Sequence, residues 1–107
     1  MLIKIPKTFK IGATRAVVGY EENLFIDQGF DGTYNKRTEE LHIDSRLYGG
    51  ERAKTFGHEV MEVIKHNYNL NTSENDMSSI ANGWVEFLYQ LGVEFDFSDI
   101  KEVKNVD

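Results

Sequence analysis

Between Ala53 and Ile64 the apolar residues Ala53, Phe56, Val60, Val63 and Ile64 recur at spacings of three and four. That repeat is one face of an α-helix laid against a core. The same segment reads Thr55-Phe56-Gly57-His58-Glu59-Val60-Met61-Glu62, a His-Glu-x-x-Glu sequence. Side chains four apart on a helix stand one above the other on a common face, so His58 and Glu62 are aimed at one spot with Glu59 beside them. Four residues of helix rise about 6 Å, and two side chains one turn apart can converge on an ion held about 2.0–2.2 Å from each ligand atom. Glu59, about 100° around the helix from His58, is positioned to hold a water on such an ion and take its proton.

The same residues have a plainer reading as a solvated helix face. His66 lies four residues beyond Glu62, a spacing that suits an intrahelical ion pair worth a few tenths of a kcal/mol. It stands eight residues from His58, about 12 Å along a straight helix, too far to share one ion. A catalytic zinc site needs a third protein ligand and an open position. The next helix is expected to supply the ligand, and Asp76, Ser78, Asn82 and Glu86 are the candidates on it. A donor set of one imidazole and several carboxylates would take zinc, manganese or iron with little selectivity. The expected cofactor is zinc, with another divalent ion or none as alternatives.

Size and charge narrow the setting. A chain of 107 residues makes one domain, spanning 1–107, with no room for a separate substrate-binding unit. The 18 acidic and 12 basic residues give a net charge of −6. Nucleic acid is therefore not expected as a partner, because phosphate binding rests on Lys and Arg displacing counterions. The run Lys4, Lys7, Lys10, Arg15 reads as a solvated strand face. With no cysteine, disulfides and thiolate-bound zinc are excluded. The N-terminal stretch lacks the apolar centre of a signal peptide, and no stretch approaches the ~20 apolar residues of a membrane span. A soluble, cytoplasmic protein is expected, acting on or binding protein or peptide, of unassigned oligomeric state.

The first half of the chain reads as strands. Leu2 to Ile5 is short and apolar and is stopped by Pro6, the single proline. Phe9 to Ile11 and Arg15 to Gly19 follow, the latter with a buried Ala16-Val17-Val18 run. Leu24 to Ile26 suits a strand or a helical turn. Asp27 to Lys36, rich in Gly, Asp and Asn, reads as a turn or hairpin loop. Glu40 to Asp44 alternates polar and apolar, as a half-buried strand does.

The second half reads as helices. The first runs from shortly after Ser45 to an asparagine cluster at 67–71. Gly57 in its interior suggests close approach of a strand. Thr72 or Ser73 caps the second helix, in a capping-box-like Ser-Glu-Asn-Asp. Its core-facing stripe is Met77, Ile80, Ala81, Trp84, Leu88 and Leu91, and Gly92 terminates it. About 99–107 reads as a frayed end. The fold class is α+β: a small, mostly antiparallel N-terminal sheet packed on the motif-bearing helix, with a second amphipathic helix alongside.

From Glu40-Leu41-His42-Ile43-Asp44 through Thr55-Phe56-Gly57-His58-Glu59-Val60-Met61-Glu62 to Ile80-Ala81-Asn82-Gly83-Trp84, the chain resembles the small phage and prophage zincin-like proteins. The likeness covers roughly residues 40 to 98. In that group a strand ending in Ile-Asp leads into a helix with Thr-x-x-His-Glu-x-x-His or Thr-x-x-His-Glu-x-x-Glu. The resemblance implies a metallopeptidase-like fold and, in the related minimal gluzincin peptidases, two helix histidines, a glutamate base and a glutamate from the next helix. Carried over, His58 is a metal ligand and Glu59 the catalytic base. Glu62 stands where the second histidine would be, and the downstream glutamate is expected near Ser78, where none occurs. Two functions stay open: a metal-dependent peptidase or hydrolase, and a catalytically inactive scaffold that engages a host or phage protein, in the host cytoplasm if phage-encoded.

Overall fold

The computed structural model describes residues 1–103. In chain order it contains β1 (Leu2–Lys4), β2 (Thr8–Ile11), β3 (Thr14–Glu21), α1 (Leu24–Gln28), β4 (Gly32–Asn35), β5 (Glu40–Asp44), α2 (Gly49–Tyr68), α3 (Glu74–Gln90) and β6 (Glu94–Asp96). This is the expected α+β architecture. The main sheet runs β2-β3-β5-β4. Its two outer ladders are antiparallel, and the central β3–β5 ladder is parallel. A second, two-stranded sheet joins β1 to β6 in parallel and ties the two ends of the fold together.

Period-two burial sets the register. Thr14, Ala16 and Val18 of β3 and Leu41 and Ile43 of β5 point inward, while Arg15 and Val17 face water. Val18, Leu41 and Ile43 meet Ile5, Phe56 of α2, Phe97 and Ile100 in one core. Phe56 is its centre. Its ring stands edge-on to Phe9, Phe95 and Phe97, with centroids 5.6–6.5 Å away, the geometry aromatic quadrupoles favour. Each large side chain so buried contributes about 1.5–3 kcal/mol.

Polar side chains fix the connections. Asp44 is buried, yet both its oxygens are used: Oδ2 accepts from the Phe25 N–H at 2.7 Å and Oδ1 from the Arg46 N–H at 2.9 Å. It caps the short helix α1, whose own N-cap Asn23 makes no side-chain bond. Asn67 near the end of α2 reaches back to the β2–β3 turn. Its amide donates to Thr14 Oγ1 at 2.8 Å, and its carbonyl accepts from the Ala13 N–H at 3.0 Å. Gly12 in that turn has φ +58°, and a Cβ there would stand 2.7 Å from Asn67 Oδ1, so only glycine satisfies both the backbone and the contact.

The helices run side by side. Ser73 Oγ accepts from the Asp76 N–H at 3.1 Å and caps α3 as expected. Lys65 Nζ donates to Thr72 O at 2.8 Å and clamps the connection between α2 and α3. Gly57 faces α3, not a strand: a Cβ there would lie 3.5 Å from the Ala81 Cβ and 3.6 Å from Val85 Cγ2.

Three further expectations change. The 27–36 loop contains β4, an edge strand whose Tyr34 is half-buried against the core. The expected stripe on α3 is rotated: Met77, Ala81 and Val85 are buried, whereas Ile80, Trp84 and Leu91 are exposed. The expected frayed end is ordered as far as described, with Ile100 buried and Glu102 bridged to Tyr20 of β3; residues 104–107 lie outside the described residues. No helix among the described residues is long and apolar enough to cross a membrane.

Candidate metal centre

The helical repeat that buries Ala53, Phe56 and Val63 of α2 also buries Glu59, leaving it 6% exposed. His58 and Glu62 flank it, half-buried, on the side of α2 that faces α3. Glu74, in the first turn of α3, approaches the same spot from across the helix pair. One ligand atom each from His58, Glu62 and Glu74 lie within 4.8 Å of one another. No other group of three such residues comes as close among the described residues.

His58 is held at both nitrogens. Nε2 lies 3.1 Å from Glu74 Oε2, and Nδ1 lies 3.0 Å from Ser78 Oγ. Glu62 Oε1 is buried with no hydrogen-bond partner. An orphaned buried carboxylate oxygen beside an imidazole and a second carboxylate is a donor set that a divalent cation completes. Tetrahedral ligands about 2.1 Å from an ion stand about 3.4 Å apart. The 4.8 Å span of the His58, Glu62 and Glu74 atoms is wider than that, so an ion here would draw the carboxylates inward.

The electrostatics point the same way. Burial pushes the Glu59 carboxyl up to about 8, and the Glu62 and Glu74 charges add to the effect. The Glu62 carboxyl is also raised, chiefly by burial and then by Glu74, with His58 and Lys65 opposing. Three carboxylates packed this closely repel one another, and a bound cation would relieve that repulsion. Glu59 faces a hollow of about 280 Å³ next to the ligand cluster, bordered by Gly32, Thr55, His58, Ser78 and Asn82. Gly32 lets β4 come close to Thr55 and Glu59 at its edge. A Cβ there would lie 2.7 Å from Thr55 Cγ2 and 3.2 Å from Glu59 Oε2. A larger cleft along β6 and the start of α2 lies away from this chemistry.

The comparisons with known proteins add no assignment. No family profile, no curated protein and no solved structure matches this chain.

The structure brings together the three residues singled out on α2. Of the four α3 candidates none stands as a third ligand. Ser78 braces the His58 ring, Asn82 borders the hollow, Glu86 pairs with Lys54 at 3.2 Å, and Asp76 is exposed in the capping turn. The third candidate ligand atom comes from Glu74, exposed in the first turn of α3, which the sequence presents only as part of a cap. The usable signal is the antiparallel hairpin itself, because a tight turn over 69–73 sets the first turn of α3 opposite Glu62. His66 forms no ion pair with Glu62. Its ring tilts against Tyr34, with centroids 6.5 Å apart.

Proposed function

We propose that this protein is a zincin-like, metal-dependent hydrolase of peptides, with His58, Glu62 and Glu74 as metal ligands and Glu59 as general base. The observation that carries the reading is the convergence of those three ligand atoms, the orphaned Glu62 Oε1 among the carboxylate oxygens there, beside the buried Glu59 carboxyl that borders an open hollow. Zinc is the favoured ion; manganese and iron also suit a carboxylate-rich set. When bound, such an ion supplies Lewis acidity and a more acidic water.

The chain's own residues do the rest. Ser78 accepts the Nδ1 proton of His58, which leaves the Nε2 lone pair free to point at the ion. Glu59, ionised once a cation lies close by, takes the proton of the attacking water and returns it to the leaving amine. Its burial keeps bulk water from competing for that proton. The hollow that Glu59 borders admits the scissile segment.

A second reading, an inactive scaffold that engages a host or phage protein, has one observation in its favour. The direct His58–Glu74 contact satisfies the imidazole without an ion. One experiment separates the two. Protein purified without chelator is assayed for bound zinc, manganese and iron and for peptide hydrolysis. The hydrolase reading expects one ion per chain, lost in Glu74→Gln, and hydrolysis lost in Glu59→Gln with the ion retained. A protein that takes up no ion even when supplied with zinc sinks it.

A further inference from the structure

α3 has two unlike flanks. One presents Glu74, Ser78 and Asn82 to the candidate metal centre. The other presents Ile80, Trp84, Phe87 and Leu91, spaced i, i+4, i+7 and i+11, with 44, 61, 49 and 61% of their surface in water. Exposed apolar residues on a monomer are usually scattered, and a contiguous row of this kind marks an interaction surface. The row carries both a projection and a recess. Trp84 and Phe87 stack edge-to-face, with centroids 6.0 Å apart, and form an exposed aromatic knob. Beside them Gly83 leaves a hollow of about 330 Å³ bordered by Ser79, Ile80, Trp84 and Phe87. Among the described residues, its own helix backbone aside, nothing lies within 4 Å of where a Gly83 Cβ would be. A glycine in a helix interior costs about 1 kcal/mol relative to alanine, and no contact among the described residues accounts for Gly83.

We propose that this face binds a second copy of the same chain, with the α3 helices antiparallel and Trp84 of each copy seated over Gly83 of the other. Two observations favour that occupant. The first is self-complementarity. Knob and hollow are adjacent on one face, which is what a two-fold axis through α3 requires. The second is charge. Each copy carries −6, so two copies can meet only across a face free of like charge. From Met77 to Leu91 the single charged residue is Glu86, and it is turned away to Lys54. A cationic partner would be steered to the acidic surfaces elsewhere. The four apolar side chains leave roughly 400 Å² in water, about half of what each partner buries in a standard interface and enough to form its apolar centre.

Light scattering after gel filtration, with sedimentation equilibrium over micromolar to submillimolar concentration, tests this on the whole chain. The wild type is expected at twice the mass of one chain. Trp84→Glu, which places like charges across the axis, is expected at the mass of one chain with an unchanged circular dichroism spectrum. Gly83→Ala gives the sharper check. It improves the helix, so the melting temperature of the single chain should rise, yet it fills the hollow and should weaken dimerisation by about tenfold or more. A role for Gly83 confined to its own helix would leave the association constant unmoved. Wild type that stays at the mass of one chain throughout overturns the proposal. A Trp84→Glu protein that still dimerises also overturns it, and undiminished association of Gly83→Ala overturns the knob-and-hollow register.

Discussion

Ser78 Oγ stands 3.0 Å from Nδ1 of His58, while Glu74, one turn earlier on the same helix, stands 3.1 Å from Nε2. A single turn of α3 thus grips both nitrogens of the ring. Metal-bound histidines are commonly oriented in this way by a partner on the far nitrogen. Removing the hydroxyl frees the ring to rotate and to exchange tautomers. Ser78→Ala should weaken zinc binding by about tenfold to a hundredfold while leaving the fold intact, as measured by calorimetric titration. Affinity equal to wild type would show that Ser78 does not orient His58.

The elements that position this centre differ in how far the sequence reveals them. α2 and the cap of α3 are legible because helix periodicity and Ser73 are local signals. β5 is legible because its apolar residues alternate, and β3 because Ala16-Val17-Val18 is an apolar run, although Val17, expected to be buried, faces water. β4 is not, because Gly32 and Asn35 look like turn residues until β5 is present to pair with them. Glu74 is hidden for a similar reason. In its first turn a carboxylate suits the helix dipole whatever else it does, so its sequence context is fully explained without a metal. The exposure of Trp84 is hidden too, since a 3.6-residue stripe does not say which flank of a helix meets the core.

Glu59 should make the protein without metal less stable as pH rises. The folded-state carboxyl is raised to about 8 against 4.5 in a model compound, so the folded state holds a proton the unfolded state has released. Stability is then fully present below the unfolded value and lost as pH rises through the folded one. The loss is on the order of 4 kcal/mol between about pH 4 and pH 8, a large share of what a domain this small can hold. Glu59→Gln, neutral at every pH, should flatten that slope and be the more stable protein at pH 8 in urea titrations. Zinc should act in the opposite sense, raising the melting temperature more at pH 8 than at pH 6, because its binding displaces protons from carboxyls held protonated. Equal pH slopes for wild type and Glu59→Gln would contradict a protonated Glu59.

Gly32 should tolerate no side chain. Its absent Cβ leaves the space that Thr55 Cγ2 and Glu59 fill, and a methyl at 2.7 Å forces one of them to move. Gly32→Ala is expected to destabilise by about 1–3 kcal/mol, the usual range for overpacking, and to lower hydrolysis further by displacing the Glu59 carboxyl. Thr55→Ser removes the nearer obstacle. The double variant should recover much of the stability in thermal melts but little of the activity, since Glu59 remains crowded. Full recovery of both would show that Gly32 acts only through Thr55.

Gly57 is the contrasting case. It sits in the interior of α2, and a methyl added there would meet Ala81 and Val85 of α3 at 3.5 and 3.6 Å, ordinary contact distances at which dispersion is attractive. The helix pair therefore has room for one more carbon. Alanine is the better helix former by about 1 kcal/mol, and the new methyl is buried between helices. Gly57→Ala should stabilise by about 0.5–1 kcal/mol and raise the melting temperature by a few degrees. Because Gly57 precedes His58, the variant also reports on the site. If the helices keep their spacing, zinc affinity stays at the wild-type value. A fall in stability would mean that α2 and α3 approach more closely than the 3.5 Å contact allows, and a loss of zinc affinity with stability gained would mean that the spacing of Glu74 from His58 is set at this crossing.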